Sequence, residues 1–409
     1  MKHADVVIIG GGQAGLALSH CLGRAGIDHV VLERGRIGQR WRAQTWQSLR
    51  LLTPNWLNGL PGSPYDGPDP DGFRTKDAFV HDLETYASRW QVPVECGVEV
   101  TACRWTGGGF ALATSAGDWS ARAVVVATGH CDRPMVPFTL DGKNGPQSIH
   151  ASKYRCPEAL PTGGVLVVGA SSSGVQIADE LARAGLRVVL SAGKHTRLPR
   201  RWRGKDIFWW LCAMGLMDER LDAIANPESA RRQPSLQLAG RPDSANVDLA
   251  TLQALGVELT GRVRGIANGE IAFAGDLAAS MAAAEAKQAR LLDRIDRFAG
   301  AGPRPARPEP VKVPSASPSQ LSLTDGSIRR IIWATGYARS FDWLEPSALG
   351  PDGELAHRDG VTGVPGLYAL GFRFLRKRDS NFIGGTGVDA QAIAAEVRRY
   401  LDRKGRQAA

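Results

Sequence analysis

Cysteine is scarce in this 409-residue chain, and its six copies stand far apart. No two of them have the C-x-x-C or C-x4-C spacing, which argues against a zinc site, a disulfide framework and a redox-active dithiol. The six are Cys21, Cys96, Cys103, Cys131, Cys156 and Cys212. We expect reduced thiols that serve packing, the usual state in a cytosol.

Long hydrophobic runs are also missing. The longest, Ile207 to Met217, is far short of the ~20 residues that span a bilayer. A first strand that starts by Val6 is expected to leave no room for a secretory signal peptide. We therefore expect a soluble, cytoplasmic protein without a transmembrane segment.

Acidic residues are outnumbered, with 41 Asp and Glu against 50 Lys and Arg, a net charge of +9. The basic residues are spread along the chain without an RNA-binding or zinc-finger signature, so nucleic acid is not an expected partner. A hydrophobic content of 43% is ample for buried cores. The length predicts two domains.

What the chain does have is glycine, concentrated in two turns that each leave a hydrophobic strand. The first, VVIIGGGQAG, places Gly10, Gly12 and Gly15 in G-x-G-x-x-G spacing, and Glu33 ends the next strand, HVVLER. Glycine lets the backbone approach a pyrophosphate, and the helix N-terminus adds free N–H groups. A carboxylate at the position of Glu33 accepts hydrogen bonds from an unphosphorylated ribose.

The second turn, VLVVGASSSG, repeats the register with Gly169, Ser171 and Gly174. Its next strand, RVVLS, ends at Ser191 and is followed by basic residues. These are Lys194, His195, Arg197 and Arg200. Basic residues there suit a 2′-phosphate, although a solvated basic loop is the alternative for any one of them. The pair of turns predicts two dinucleotides, one similar to FAD and one similar to NADPH.

Two further segments match each other. One strand closes on Ala127-Thr128-Gly129 and another on Ala334-Thr335-Gly336, where we expect the chain to cross between two nucleotide units. The predicted fold class is α/β, with two Rossmann-like dinucleotide-binding domains of the three-layer ββα type, the second inserted in the first. The expected segments are 1–160, 161–325 and 326–409, with helical insertions at about 200–245 and 276–320.

The insertions carry two periodic or apolar segments of their own. An apolar stripe over 276–299 predicts a helix with Asp276 as its N-cap. Its members are Leu277, Met281, Ala284, Leu291, Ile295 and Phe298. The stripe is expected to pack on its own domain, with a homodimer contact as the alternative. The aromatic run Ile207 to Leu211 favours a buried helix over a cap on a substrate cavity or a membrane contact.

Other motifs extend over nearly the whole chain. They are Gly38-Gln39-Arg40-Trp41, SLRLLTPNWLNGLPG, RTKDAFVHDLETYA with Arg74 at its start, Ala127-Thr128-Gly129-His130 with Pro134 and Pro137 after it, and PGLYALGF followed by NFIGGTGVDAQAIAAEV. Together with the paired turns they resemble the class B flavin-dependent monooxygenases, the group of flavin-containing, YUCCA-type and Baeyer–Villiger monooxygenases. The resemblance looks closest to bacterial flavoproteins labelled as involved in potassium transport.

The resemblance implies roles for particular residues. Asn55 takes the place of the active-site asparagine, with Asn58 as the next candidate and a turn-capping role as the alternative. The cofactor-binding residues it implies, together with the two turns, are Gly10, Gly12, Gln13, Ala14, Gly15, Glu33, Arg34, Gln39, Arg40, Trp41, Val100, Ala127, Thr128, Gly129, Gly169, Ser171, Ser172, Ser173, Gly174, Ser191, Lys194, His195, Arg197, Ala334, Thr335, Gly336, Gly371 and Thr386.

The resemblance also implies a reaction. NADPH reduces FAD, the reduced flavin traps O2 as a C4a-(hydro)peroxide, and a small substrate is oxygenated without a metal. The family fingerprint is only partly met, by His150 and Tyr154. Because Arg155 follows Tyr154 where Baeyer–Villiger enzymes have proline, oxygenation at nitrogen or sulfur is favoured. The alternatives are a flavin reductase or dehydrogenase without a dithiol, and a nucleotide-sensing regulatory subunit of a transporter.

Overall fold

The chain begins as the first glycine turn predicts, with a strand, a helix and a second strand. The computed structural model describes residues 1–140, 145–315 and 317–408. The elements before the first crossing are β1 (Lys2–Ile9), α1 (Gln13–Arg24), β2 (His29–Glu33), α2 (Gln39–Ala43), α3 (Lys76–Arg89), β3 (Val94–Cys96), β4 (Val100–Trp105), β5 (Phe110–Thr114), β6 (Trp119–Val126) and β7 (Arg133–Pro134).

The inserted unit repeats the same opening and then adds short elements. In chain order these are β8 (Gln147–His150), β9 (Gly164–Val168), α4 (Ser172–Arg183), β10 (Val188–Ser191), β11 (Thr196–Arg197), β12 (Arg201–Trp202), β13 (Lys205–Asp206), α5 (Ile207–Ala213), α6 (Pro227–Arg231), β14 (Leu236–Gln237), α7 (Leu249–Ala254), β15 (Glu258–Thr260), β16 (Val263–Ala267), β17 (Glu270–Phe273), α8 (Leu277–Ala299), β18 (Gln320–Ser322) and β19 (Ile328–Trp333). The return segment carries β20 (Tyr337–Ala338), β21 (His357–Arg358), β22 (Val361–Thr362), β23 (Leu367–Ala369) and α9 (Gly385–Ala408).

The first unit is built on a sheet whose central strands run parallel in the order β3-β2-β1-β6-β23. The inner halves of β1 and β6 are continuous runs of buried aliphatic residues, the pattern of parallel strands covered on both faces. Helices α1 and α9 pack together. Strands β4 and β5 pair with each other in antiparallel orientation, and β5 also pairs with β6.

The second unit is built on a parallel sheet in the order β15-β10-β9-β19-β8. A separate antiparallel sheet, β16-β17-β18, packs on one face through Ile271, Phe273 and Leu323. Helices α4 and α7 cover the other face through Val175, Leu252 and their neighbours. Each unit therefore has a central parallel sheet between helices and a smaller β layer, and the predicted α/β fold class with two Rossmann-like units is confirmed.

The boundaries of the inserted unit are wider than the sequence predicts. Strands β8 and β19 both belong to the second sheet, where they pair with each other in parallel. The expected segment 161–325 leaves out both of them. The reason is that edge strands and crossing strands have similar sequences. Only their hydrogen bonds show to which sheet they belong.

The two crossing segments meet each other. Strands β7 and β20, which follow the two A-T-G turns, form a short antiparallel ribbon. Beside this ribbon, the Nδ1 atom of His150 is hydrogen-bonded to the Ser152 hydroxyl at 3.0 Å, and its Nε2 atom lies 3.0 Å from the Gly336 carbonyl oxygen. Its ring packs edge-on against Tyr337 at 4.9 Å between centroids. His150 therefore holds the crossing together.

Helix α8 forms at the predicted place with a partly different buried face. Leu277, Met281, Ala284 and Ile295 are buried as expected. Gln288, Leu292 and Asp296 are buried as well, whereas Leu291 is only half-buried and Phe298 is 56% exposed. Asp276 precedes the helix, but its carboxylate does not cap it and instead accepts hydrogen bonds from Arg262.

The aromatic run forms the short buried helix α5 inside the insertion, as expected. Its carboxylate cap is Asp206, which accepts from the Phe208 N–H at 2.8 Å. Phe208 and Trp210 are buried, whereas Trp209 is 38% exposed. Within the described ranges, no helix combines the length and the apolar character needed to cross a membrane.

Candidate functional site

One large cavity lies where the two units face each other. It measures about 2520 Å³, well above the roughly 300–1,000 Å³ of a typical small-molecule site. Both glycine-rich turns and both A-T-G segments open onto it. The cavity therefore has room for more than one ligand, and ligands bound at the two turns would meet inside it.

Most of the predicted cofactor residues lie on the wall of this cavity. They are Gly10, Gly12, Gln13, Ala14, Glu33, Arg34, Gln39, Arg40, Trp41, Val100, Ala127, Thr128, Gly129, Gly169, Ser171, Ser172, Ser173, Ser191, Lys194, Ala334, Thr335, Gly336 and Gly371. Six predicted residues do not line it: Asn55, Gly15, Gly174, His195, Arg197 and Thr386.

The first turn is tight where it meets its own domain and open where it faces the cavity. Gly10 has a φ of +116°, and a Cβ there would lie 2.6 Å from the Ala127 carbonyl oxygen. A Cβ on Gly15 would overlap the Gly10 carbonyl oxygen. Around Gly12, by contrast, nothing lies within 4 Å of an added Cβ. This open space over a helix N-terminus fits a pyrophosphate, because free N–H groups point into it.

The second turn reproduces these packing relations. Gly169 has a φ of +108°, and a Cβ there would lie 2.5 Å from the Ala334 carbonyl oxygen. A Cβ on Gly174 would overlap the Gly169 carbonyl oxygen. Ser171 stands where the first turn has Gly12, and its side chain does not cap α4. The N–H groups at the start of α4 therefore remain available to a second phosphate group.

Glu33 holds the end of the first unit's second strand against the turn. Its carboxylate accepts hydrogen bonds from the Gly11 N–H at 2.7 Å and the Gly35 N–H at 2.8 Å. The carboxylate is therefore fixed at the cavity edge by two backbone donors. Each carboxylate oxygen keeps a lone pair that can accept from a ribose hydroxyl.

Arg40 lies close to the first A-T-G turn. It donates to the Cys131 carbonyl oxygen, and its Nη2 lies 2.9 Å from an Asp132 carboxylate oxygen. Trp41 packs edge-on against Phe79 of α3 at 5.1 Å between centroids. The G-Q-R-W motif thus fixes helix α2 to its neighbours and leaves Arg40 and Trp41 facing the cavity.

The basic residues after β10 do not act as one cluster. Only Lys194 of the four lies on the cavity wall. Arg197 and Asp248 are both 2% exposed, and their Nε and Oδ2 atoms are 2.8 Å apart. Arg200 is fully buried and paired with Asp206. The prediction that Arg197 faces a 2′-phosphate is wrong, because the carboxylate of Asp248, which is distant in sequence, neutralises its guanidinium.

His195 and Ser191 are also held internally. Burial lowers the pKa of His195, whose Nδ1 lies 2.8 Å from the Gly193 carbonyl oxygen. His195 is therefore neutral and carries no charge for a phosphate. Ser191 reaches the cavity wall, but its hydroxyl donates to the Gly261 carbonyl oxygen at 2.8 Å.

Two cations that the sequence analysis did not single out accompany Lys194. Arg232 lines a side pocket together with Lys194. Arg262 lies against Gly193 and on the cavity wall, where its guanidinium is paired with the Asp276 carboxylate. Their positions 38 and 68 residues after Lys194 explain why no local motif shows them; only the fold brings the three together.

Asn55 sits inside a loop away from the cavity wall. It is 4% exposed, its Nδ2 donates to the Asp69 carbonyl oxygen at 2.8 Å, and its Oδ1 accepts from the Arg74 N–H at 2.9 Å. Asn58 is likewise bonded to Thr53 and Pro54. Both amides follow the turn-capping alternative, and the structure does not bring either to the reacting region.

Thr386 and Gly371 belong to the return segment. The Thr386 hydroxyl is fully buried and donates to the Phe382 carbonyl oxygen at 2.7 Å, so it serves the first turn of α9. Gly371 follows β23 by two residues, lies on the cavity wall and comes close to Ala14 at the start of α1. A side chain at Gly371 would push against that helix.

Positive charge surrounds His130 at the first A-T-G turn. Burial, aided by Arg373, Arg339 and Arg40, lowers the pKa of His130 to about 4. His130 is therefore neutral at physiological pH. Arg373, which lies on the wall and donates to the Gln233 carbonyl oxygen at 2.7 Å, was not expected from the sequence. Arg40 pairs with Asp132 and Arg339 with Glu354, so Arg373 contributes most of the charge that favours an anion in the adjoining part of the cavity.

The fold and the paired turns define a two-dinucleotide flavoprotein oxidoreductase. The family profile described as pyridine nucleotide-disulphide oxidoreductase matches residues 7–203. The chain is 30% identical to an oxidoreductase of Geobacillus kaustophilus named CzcO-like, over 97% of this chain and 99% of that protein. It is 32% identical to indole-3-pyruvate monooxygenase YUCCA6 of Arabidopsis thaliana, over 96% of this chain and 90% of that protein.

A solved structure has the same fold. The flavin-containing monooxygenase from Stenotrophomonas maltophilia matches with a TM-score of 0.69 and 19% identity, over 98% of this chain and 100% of that one. On the sequence relatives, the chain belongs to the flavin monooxygenase family. It is an FAD-dependent monooxygenase, and its cofactors are FAD and NADPH.

Proposed function

We propose that this enzyme transfers one oxygen atom from O2 to a small substrate at the expense of NADPH, and that it oxygenates nitrogen or sulfur in preference to a Baeyer–Villiger reaction. The observation that carries the proposal is the single cavity that both glycine-rich turns share. FAD would supply the group that accepts a hydride from NADPH and that activates O2. We assign FAD to the turn at Gly10–Gly15 and NADPH to the turn at Gly169–Gly174.

The chain's own residues contribute position and charge. Glu33 accepts from the ribose of FAD, while the open space at Gly12 and the N–H groups of α1 receive its pyrophosphate. Lys194 and Arg232 receive the 2′-phosphate of NADPH, whereas Arg262 beside Gly193 is paired with Asp276. The guanidinium of Arg373, more than those of Arg40 and Arg339, stabilises negative charge that develops beside His130.

Apolar side chains line the part of the cavity between the insertion and the return segment. Phe208 and Phe382 meet edge-on at 5.7 Å between centroids, and Leu211 lies beside them on the wall. These groups exclude water, which protects reactive species from side reactions. We place the oxygenated substrate in this part of the cavity.

The preference for nitrogen or sulfur rests on the residues after His150. Arg155 replaces the proline that Baeyer–Villiger enzymes have after the last fingerprint residue, and here its Nη1 donates to the Ser152 carbonyl oxygen at 2.8 Å and to the Thr45 carbonyl oxygen at 3.1 Å. The segment therefore adopts a bonding pattern that proline does not provide.

A dithiol reductase is the competing function on grounds of fold. The bacillithiol disulfide reductase of Bacillus cereus matches with a TM-score of 0.62 and 17% identity. Among the described residues, Cys131 is the one cysteine on the cavity wall, and burial raises the pKa of its thiol. A protonated thiol without a second cysteine on the wall does not favour disulfide exchange.

A rapid-mixing experiment tests the proposal. The flavin-loaded protein is reduced with NADPH without oxygen and then mixed with buffer containing ¹⁸O2 and methyl phenyl sulfide. We expect a transient absorbance unlike that of reduced or oxidised flavin, followed by sulfoxide with one ¹⁸O atom.

The other outcomes identify the alternatives. Direct return to oxidised flavin with release of peroxide contradicts the proposal and supports a reductase. Failure of NADPH to reduce the flavin contradicts it in favour of a nucleotide-sensing protein. Phenylacetone in place of the sulfide tests the preference, since ester formation at a higher rate than sulfoxidation overturns it.

A further inference from the structure

Helix α8 brings a row of cations to the cavity that the assignment of FAD and NADPH does not use. Lys287, Arg290 and Arg294 all line the wall, together with Leu291. Their spacing of three and four residues places them on one face of the helix. The face opposite supplies the buried residues that anchor α8 to its unit, so the cationic face is held in place.

Lys287 is the member held deepest. It is half-buried, and its Nζ lies 3.2 Å from the Thr196 hydroxyl of β11. Among the described residues, none of these three cations forms an ion pair with a carboxylate. Burial, followed by the charges of Arg378 and Arg290, lowers the pKa of Lys287.

The cationic row lies on a different element from the residues assigned to the 2′-phosphate of NADPH, and Lys287 contacts Thr196, two residues after Lys194. Lys194 shares its side pocket with Arg232, and Arg262 lies against Gly193. The charge of Arg378 also acts on Lys287; Arg378 belongs to the return segment of the first unit, pairs with Glu219 and stacks on Phe374 at 5.1 Å. The row therefore lies on the cavity wall near both β11 and the return segment.

Apolar side chains adjoin this row. Leu291 lies between the cations in sequence and on the same wall, and it packs with the cluster that holds Phe208, Leu211 and Phe382. A ligand that reached both groups would have a negatively charged end and an apolar body. A neutral ligand would leave half-buried Lys287 without a counter-charge, at a cost in desolvation.

We propose that the substrate of this enzyme is an organic anion, a carboxylate attached to an apolar or aromatic body, and that Lys287 and Arg290 bind its charged end. This inference rests on the proposed function only in naming the ligand a substrate. The oxyanion site itself is a property of the cavity wall, and binding can be measured without turnover.

The test compares two probes that differ only in charge. 4-Phenylbutyrate and 4-phenylbutanamide are titrated into the FAD-loaded protein with NADP⁺ present, and heat or the flavin absorbance reports binding. We expect the carboxylate to bind at least 10-fold more tightly than the amide, and added salt to reduce this difference. Equal affinities for the two probes overturn the proposal.

Variants locate the site. Lys287→Met is expected to weaken 4-phenylbutyrate at least 10-fold without changing the affinity for the amide or for NADPH. Arg297→Met, on the same helix but exposed and away from the cavity wall, is the matched control and is expected to change neither. Loss of NADPH affinity in Lys287→Met assigns the row to the nucleotide and overturns the proposal.

Separate measurements distinguish a variant that fails to fold from a failure of the proposed function. Arg290→Met changes an exposed side chain, so it keeps the test decisive where Lys287→Met does not fold. Reduction by NADPH and reaction with O2 in the unaltered protein report on the proposed function. Probe binding that fails while these reactions proceed contradicts the anionic substrate alone.

Discussion

Glu33 shows how one side chain serves both the fold and a ligand. Its two backbone donors, the N–H groups of Gly11 and Gly35, hold the carboxylate at the cavity edge. Hydrogen bonds to a charged group are worth about 1.5–3 kcal/mol. We therefore expect Glu33→Ala to weaken FAD binding by about 10- to 100-fold, measured by quenching of flavin fluorescence.

Glu33→Gln separates charge from geometry. Its amide retains one acceptor oxygen, so its affinity for FAD is expected to lie between that of the unaltered protein and that of Glu33→Ala. An unchanged flavin affinity in Glu33→Ala would show that the ribose is held elsewhere.

Lys194 and Arg197 are predicted to differ although they stand three residues apart. Lys194→Met is expected to raise the Kd of NADPH about 10-fold, with little change for NADH, because only the phosphorylated ribose meets the charge. Arg197→Met leaves Asp248 buried and unpaired, which costs about 3–5 kcal/mol. It should lower the melting temperature and leave the ratio of NADPH to NADH affinity unchanged.

These two residues also show what the sequence can predict at this scale. Glu33 ends β2 and Lys194 follows β10 by three residues, so motif spacing predicts that both lie at the ends of these strands. Arg197 follows the same rule, but Asp248 lies 51 residues further on, and no local pattern shows that the two meet. Asn55 fails for the same reason, since its partner Asp69 is 14 residues away on the same loop.

The glycine turns are the elements on which the cofactor assignments depend. Gly12 has an extended φ of −90° and open space around it, so Gly12→Ala should fold with an unchanged melting temperature in the absence of flavin. It should nevertheless bind FAD weakly, because the methyl group occupies the place of the pyrophosphate. Gly15→Ala, whose Cβ would overlap the Gly10 carbonyl oxygen, should destabilise the fold itself.

A comparison of melting temperatures with and without FAD distinguishes the two variants. If Gly12→Ala bound FAD normally, the assignment of the pyrophosphate to this turn would be contradicted.

Helix α9 carries a buried carboxyl whose protonation affects stability. Burial raises the pKa of Asp389 to about 6, and the nearest cation, Arg376, places its Nε 3.8 Å from Oδ1. The folded state therefore binds this proton more tightly than the unfolded state does. The favourable contribution is present below about pH 4 and is lost as the pH rises to about 6.

Asp389→Asn should remove this penalty. At pH 7.5 we expect a gain of up to about 3 kcal/mol in the free energy of unfolding, which shrinks toward zero below about pH 4. Denaturant titrations at several pH values measure it. Asp402→Asn, an exposed change on the same helix, should show no such dependence. A gain that stays constant with pH would exclude titration as its cause.

The sequence predicts where helices and strands begin and end better than it predicts which of their residues are buried. The periodicity of α8 and the strand–turn–helix units give their bounds within a residue or two, since burial patterns repeat locally. The buried face of α8 shifts toward Gln288 and Leu292, because the helix packs on β11 and the insertion rather than along one straight stripe. A dimer contact through this helix stays a prediction.

At the scale of the molecule, the two units are linked by more than the crossing ribbon. The Ser48 hydroxyl of the first unit donates to Glu180 of α4 at 2.7 Å, and Arg200 of the second unit donates to the Leu52 carbonyl oxygen at 2.8 Å. These bonds, with the ribbon of β7 and β20, fix how the two turns face each other. The shared cavity therefore follows from the arrangement of the units, which the motifs alone do not specify.

The account depends on two different dinucleotides meeting in one chain, and counting them tests it most directly. The purified, yellow protein is titrated with NADP⁺ at equilibrium, and bound FAD and NADP⁺ are quantified per chain. We predict one of each, bound at the same time. A single nucleotide per chain, mutual displacement of the two, or a colourless protein that does not take up FAD would contradict it.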